Sequence, residues 1–235
     1  MGAVKRFLRR VWSSEPDPGD QLSDGDPSST GAEPEVAAAA FWRRWEELLP
    51  VLSSALGDGE PHRVEHELCS AVELLHPDLH FSVERGVHAI YALVISGQGD
   101  PALRSYTDAW MAAAPPQSAI WEYHDAVPPV PDPTGVTVNF GAHRIELADV
   151  RVAPLVDESA GLVDVAVFHP LMAELADAAK AAMTFLPLDA TLGERLAADR
   201  LGRVETAERE PHGAIGLLEF REMVRELDES QRRPT

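Results

Sequence analysis

The chain has 235 residues, 45% of them hydrophobic, enough to bury a sizeable core in one large domain or two small ones. Its formal charge of −19 argues against a nucleic-acid partner, because phosphate contact needs a basic surface, and is compatible with a basic protein partner. Cys69 is the only cysteine, so no intrachain disulfide can form, nothing implies an oxidising compartment, and a cytoplasmic protein is expected.

Met1 to Trp12 reads MGAVKRFLRRVW. Val4, Phe7, Leu8 and Val11 fall on one helical face, with Lys5, Arg6, Arg9 and Arg10 around it. This pattern suits peripheral contact with an anionic membrane surface or an acidic partner. It is too short to span a bilayer and lacks the apolar region of a secretory signal. Ser13 to Glu35 is rich in Pro, Gly, Ser and Asp, with Leu22 as its single large apolar residue. It cannot offset its ordering entropy and is expected to be a disordered linker. Residues 1–35 hold four Lys and Arg against seven Asp and Glu, so −16 of the charge falls on the rest of the chain.

From Val36 to Leu56, Phe41, Trp45, Leu48, Leu49 and Leu52 recur at helical spacing, with Trp42 beside them. Gly57-Asp58-Gly59 is a turn. Glu60 to Leu75 predicts a second helix through Val64, Leu68, Cys69, Val72 and Leu75. Phe81–Val83 and Val87–Ile95 predict a hairpin around Glu84-Arg85-Gly86. Ala89 to Ile95 is a continuous apolar run suited to a buried strand. Gly97-Gln98-Gly99-Asp100-Pro101 ends it, and Asp100 can cap a helix whose first turn tolerates Pro101. Leu103, Tyr106, Trp110, Met111 and Ala114 carry that helix to Pro115-Pro116. Ile120 to Tyr123 is extended again. Val127 to Thr134 is a rigid Pro-rich connector. Strands follow at Val136–Phe140, Arg144–Leu147, Val150–Val156 and Leu162–Phe168. Pro170 opens a helix with Leu171, Leu175, Ala178, Ala182 and Phe185 on one side. A shorter helix covers Leu192–Arg200, a late strand Arg203–Thr206, and an amphipathic helix Ala214–Leu227 uses Leu217, Leu218, Phe220, Val224 and Leu227. A strand, a helix and a returning strand occur at His88–Ala126 and again at Leu162–Thr206, without a residue-level repeat.

The sharpest chemical candidate is His62-Arg63-Val64-Glu65-His66. On a helix, His62 and His66 share a face and can bind one zinc, and Glu65 can act on a zinc-bound water as general base. The HxxEH pattern resembles that of the inverzincin metallopeptidases. The resemblance implies a distal glutamate as third ligand, and Glu146 lies at a plausible distance along the chain. Gly97-Gln98-Gly99 sits between strand and helix but lacks the third glycine of a dinucleotide fingerprint and any P-loop lysine.

Other stretches carry a second resemblance: Tyr91-Ala92-Leu93-Val94-Ile95-Ser96-Gly97, Trp110-Met111-Ala112-Ala113-Ala114-Pro115-Pro116, Trp121-Glu122, Leu186-Pro187-Leu188-Asp189 and Leu192-Gly193-Glu194. Over roughly residues 80–210 the chain resembles an uncharacterised bacterial family of α+β domains of unknown function. That family implies no catalytic residues.

These readings converge on an α+β fold with a mixed or mainly antiparallel sheet and packed helices. The expected domain covers residues 36–228, with a possible subdivision near 127–134 and a frayed tail at 229–235. The expected function is that of a non-enzymatic regulatory or protein-interaction module with an acidic surface, no cofactor and no nucleic acid. Its membrane contact is at most peripheral, through residues 4–12. The alternative is a zinc-dependent hydrolase with Glu65 catalytic and His62, His66 and Glu146 as ligands.

Overall fold

The computed structural model describes residues 33–141 and 143–232, so the basic segment at 4–12 and the linker up to residue 32 lie outside the described residues. The protein is α+β, with five helices and three small sheets among those residues. It divides into two compact units, Met1–Asp125 and Ala126–Thr235. The boundary falls where the Pro-rich connector begins.

In the first unit, α1 (Pro34–Gly57), α2 (Glu65–Leu75) and α3 (Arg104–Ala112) pack beside the sheet β1 (His80–Arg85), β2 (Tyr91–Ser96) and β3 (Trp121–His124). β1 and β2 are antiparallel; β2 and β3 are parallel, joined through α3. Phe41, Trp45, Leu48 and Leu52 recur along α1 as the spacing predicts, and all are buried. The core is aromatic. The Trp42 ring stacks on Trp110 at 5.0 Å, and Trp45 meets Trp121 edge-on at 4.9 Å. Trp42 Nε1 donates to the Trp110 carbonyl at 2.8 Å, which gives a buried indole its partner. Asp100 caps the turn before α3, its carboxylate accepting from Ala102 N at 2.8 Å.

The second unit holds a hairpin, β4 (Thr137–Phe140) and β5 (His143–Glu146), and a four-stranded sheet in the order β8-β7-β6-β9. Its strands are β6 (Arg151–Asp157), β7 (Leu162–Phe168), β8 (Leu201–Thr206) and β9 (Ile215–Gly216). β6 and β7 are antiparallel, and β7 and β8 are parallel, joined through α4 (Asp177–Arg200). α5 (Leu217–Arg232) packs on α4. Val163, Val165 and Val167 alternate inward from β7, the period-two pattern of a strand with one face in the core.

Three expected details change. The helix begins at Asp177, not at Pro170, and a 3-10 turn at Met172–Glu174 precedes it. Leu171 and Leu175 therefore do not set its phase, and Phe185, expected inside, is 51% exposed. Its buried face instead includes Met183, Thr184, Leu188 and Thr191. The two threonine hydroxyls donate back to the Lys180 and Pro187 carbonyls at 2.8 and 2.6 Å, so they can be buried without an unmet donor. The shorter helix merges with this one across a kink at Gly193, whose φ is +74°. A Cβ there would meet the Pro129 ring and backbone nitrogen at 2.8 Å, so both the conformation and the close approach call for glycine. α5 continues past Leu227 to Arg232, tied down by Arg232–Asp228 at 2.9 Å and Gln231 Nε2 donating to Glu158 O at 3.1 Å.

Candidate functional site

The HxxEH residues do not share one helix. His62 lies in a 3-10 turn (Pro61–Val64), and α2 starts at Glu65. His62, Glu65 and His66 are all exposed. Glu146 is on β5, in the other unit, with its side chain exposed. Among the described residues, no group of three or more His, Cys, Asp or Glu side chains is placed to hold a metal ion.

The most constrained polar group of the first unit is Glu122, on β3 and 2% exposed. A carboxylate here is costly unless donors surround it. Its Oε1 accepts from Val87 N at 2.8 Å, and its Oε2 from His88 N at 2.8 Å and Ala89 N at 3.1 Å. His124 Nε2 stands 3.2 Å from Oε1. Burial alone would raise this carboxyl; the Val87 and His88 N–H groups and His124 outweigh it and bring the group to about 2.

These bonds explain why the hairpin differs from expectation. β1 runs through Arg85, and residues 87–90 leave the strand to form a loop. Gly86 N donates to Ile90 O at 3.2 Å and Ile90 N to Ala119 O at 3.1 Å. Every backbone N–H from 86 to 90 therefore has a partner, and three of the five point at one side chain. A Cβ on Gly86 would come within 2.5 Å of Ala89 O, so the turn also needs that glycine. The carboxylate is saturated and unsuited to proton transfer. What it does is fix a loop.

That loop displays apolar surface. Val87 is 65% exposed and Ile90 58%. Tyr91 pairs with Trp121 in register, and just before the strands Ile90 N donates to Ala119 O and Tyr91 N to Ile120 O, which brings Ile90 beside residues 119–120. Ile120 is 49% exposed. Single exposed apolar side chains need no explanation, but here three lie on one braced loop and the segment hydrogen-bonded to it. Glu84 pairs with Ala92, and Ala92 with Glu122, so these three share one face of the sheet. Residues 33–125 hold 15 Asp and Glu against 5 Arg and no Lys.

The second unit has a different polar centre. Arg221 on α5 is buried, and its guanidinium donates to the carbonyls of Thr191 at 2.6 Å, Val130 at 2.6 Å and Pro131 at 2.9 Å. It clamps the Pro-rich connector to the kinked part of α4. Glu194 closes the same clamp: its N donates to Val127 O and its Oε2 accepts from Val127 N, both at 2.9 Å. Burial lowers the Arg221 group, with Arg225 adding to the effect. Asp189, nearby in sequence, has no hydrogen bond among the described residues. Burial and then the Glu194 charge raise its carboxyl to about 6. His169 is buried as well; its Nδ1 accepts from Leu171 N at 3.1 Å, and burial pushes the imidazole down.

The Gly97–Asp100 turn holds its own anion: the Asp100 carboxylate occupies the amide that a phosphate would need. The patch at 87–90 escaped the sequence reading, although Glu122 within an apolar strand was the available signal. Its partners are more than 30 residues away, and nothing in the spacing names them. Among the described residues, no helix is long and apolar enough to cross a membrane.

No family model, curated protein or solved structure matches the chain.

Proposed function

We propose that the protein is a non-enzymatic interaction module. Its first unit offers a preformed apolar loop on an acidic body to a protein partner with an apolar, basic face. One observation carries this reading: the Glu122 carboxylate takes three backbone N–H groups, those of residues 87–89, while Val87, Ile90 and Ile120 remain exposed. A loop already held in one shape loses little entropy on binding, which is where preorganised surfaces gain affinity. The excess of 15 acidic over 5 basic side chains in residues 33–125 steers a basic partner towards this unit and disfavours nucleic acid. The proposal includes a cytoplasmic location, supported by the single unpaired Cys69, and kinship with the uncharacterised α+β family. In that kinship, Gly193 and Glu194 serve the connector clamp rather than chemistry.

The test is affinity capture from the native lysate with the wild-type chain and with Val87→Ser/Ile90→Ser/Ile120→Ser. A partner recovered by the first and lost by the second supports the reading. A partner indifferent to the three substitutions, or no reproducible partner, sinks it.

A further inference from the structure

We infer that residues 4–11 of this same chain are a resident ligand of the 87–90 loop, so that the module covers its own surface until a competitor removes the segment. The inference rests on the interaction reading above and deepens it by naming an occupant.

The segment has the chemistry the surface asks for. Val4, Phe7, Leu8 and Val11 supply an apolar stripe at helical spacing, and Lys5, Arg6, Arg9 and Arg10 are the only basic residues before position 33. The receiving unit has the complementary composition. It exposes Val87, Ile90 and Ile120, and Glu84 stands on β1, three residues before Val87. Residues 33–125 contain no lysine and five arginines, of which Arg44 pairs with Glu47 and Arg63 with Asp58 and Glu60. Glu46, Glu65, Glu67 and Glu73 make no ion pair among the described residues, leaving negative charge uncompensated on this unit.

Reach sets no obstacle. Residues 13–32 separate the segment from Glu33. Extended, a tether of this length spans up to roughly 70 Å. A unit of this size has a radius of gyration of about 12 Å. Tethering places the segment at an effective concentration on the order of millimolar. A segment that binds with only a millimolar Kd in trans would then half-fill the site in cis. The consequence is competition. An outside partner must displace residues 4–11 from the loop, and an anionic membrane surface must draw the same basic residues away from it.

Two measurements on the full chain decide this. Amide NMR spectra at low salt compare the wild type with Phe7→Ser/Leu8→Ser. Shifts at Val87–Ile90 and Ile120 in the variant, reproduced in the wild type by about 0.5 M salt, are expected from a docked segment. Unchanged amides at these positions overturn the inference. Binding to vesicles of equal parts phosphatidylserine and phosphatidylcholine supplies the second readout. Val87→Ser/Ile90→Ser should raise it about three- to tenfold by releasing the segment, and Phe7→Ser/Leu8→Ser should abolish it. Vesicle binding that ignores the loop substitutions overturns the inference. If captured partner still depends on Val87, Ile90 and Ile120 while the spectra show no docked segment, the interaction reading stands and only the resident ligand falls. Loss of both removes the two together.

Discussion

The two units share a topology and differ in what holds it. In each, an antiparallel pair is followed by a helix and a strand parallel to the second member of the pair: β1-β2-α3-β3 in one, β6-β7-α4-β8 in the other. The first is held by volume, with Phe41, Trp42, Trp45, Trp110, Trp121 and Tyr123 in mutual contact. The second uses smaller aliphatic side chains and a buried cation shared among three carbonyls. Their carboxylates diverge in the same way. Glu122 is the more deeply buried, yet it titrates low because three N–H groups converge on it; Asp189 has no hydrogen-bond donor and a like charge nearby, so it titrates high. Burial alone does not set the direction of a shift. The number of donors does.

The largest expected effect attacks the aromatic core. Trp45→Ala should cost about 3–5 kcal/mol, because Trp45 is fully buried against Trp121 and Tyr123 and the strands cannot collapse onto the space. Native-state hydrogen exchange at the β2 amides reads the loss; a change below about 1 kcal/mol would mean that packing is not what holds this unit.

The two carboxylates should then respond oppositely to pH. Glu122 is held at about 2 against an ordinary 4.5, so its contribution is complete above pH 4.5 and is lost as pH falls towards 2. Glu122→Gln should cost about 2 kcal/mol at neutral pH, after allowance for solvent screening, and should flatten the profile in that window. Asp189 is raised from 3.8 to about 6, so its penalty is absent below pH 3.8 and complete above pH 6. Asp189→Asn should therefore stabilise the protein by about 2 kcal/mol at pH 7 and by nothing at pH 3.5. Denaturant midpoints across this range check both. A gain from Asp189→Asn that persists at low pH would assign the effect to something other than the charge.

The contrast also marks what the sequence could reveal. Periodicity placed α1, α2 and α5, and alternation placed β6 and β7, because these patterns depend on neighbours a few positions away. The phase of α4 was hidden, because its buried face uses Thr184 and Thr191, which read as polar until their back-bonds to Lys180 and Pro187 are known. The 87–90 loop was hidden for the same kind of reason. Val87 to Ile90 read as strand, and the distant Glu122 captures the N–H groups of Val87, His88 and Ala89 that a ladder would use. Local pattern gave elements; long-range polar capture decided the surface.

Smaller effects sharpen the reading of each turn. Gln98 adopts φ +54° in the turn between β2 and α3, beside Gly99 at +82°. Side chains seldom take this conformation, so Gln98→Gly should stabilise the first unit by up to about 1 kcal/mol, measured by thermal unfolding. Destabilisation instead would show that the glutamine side chain does work that its backbone conformation conceals.

The smallest expected effect concerns the motif that looked most like chemistry. His62 and His66 are exposed, and among the described residues neither is part of a set that could hold a metal ion. His62→Ala and His66→Ala should each change stability by less than about 0.5 kcal/mol, as surface substitutions do. Metal analysis of the tag-free protein should leave both variants indistinguishable from wild type. Near-stoichiometric zinc in the wild type, lost in both variants, would mean that a third ligand reaches these histidines from a part of the chain not described here. It would move the function from binding to hydrolysis, with Glu65 as the base to test next. A spacing of two histidines and a glutamate is cheap in a chain with nine histidines and 39 acidic residues. A carboxylate that gathers three backbone amides more than 30 residues away is a far less common arrangement, and it is the one on which the function proposed above depends.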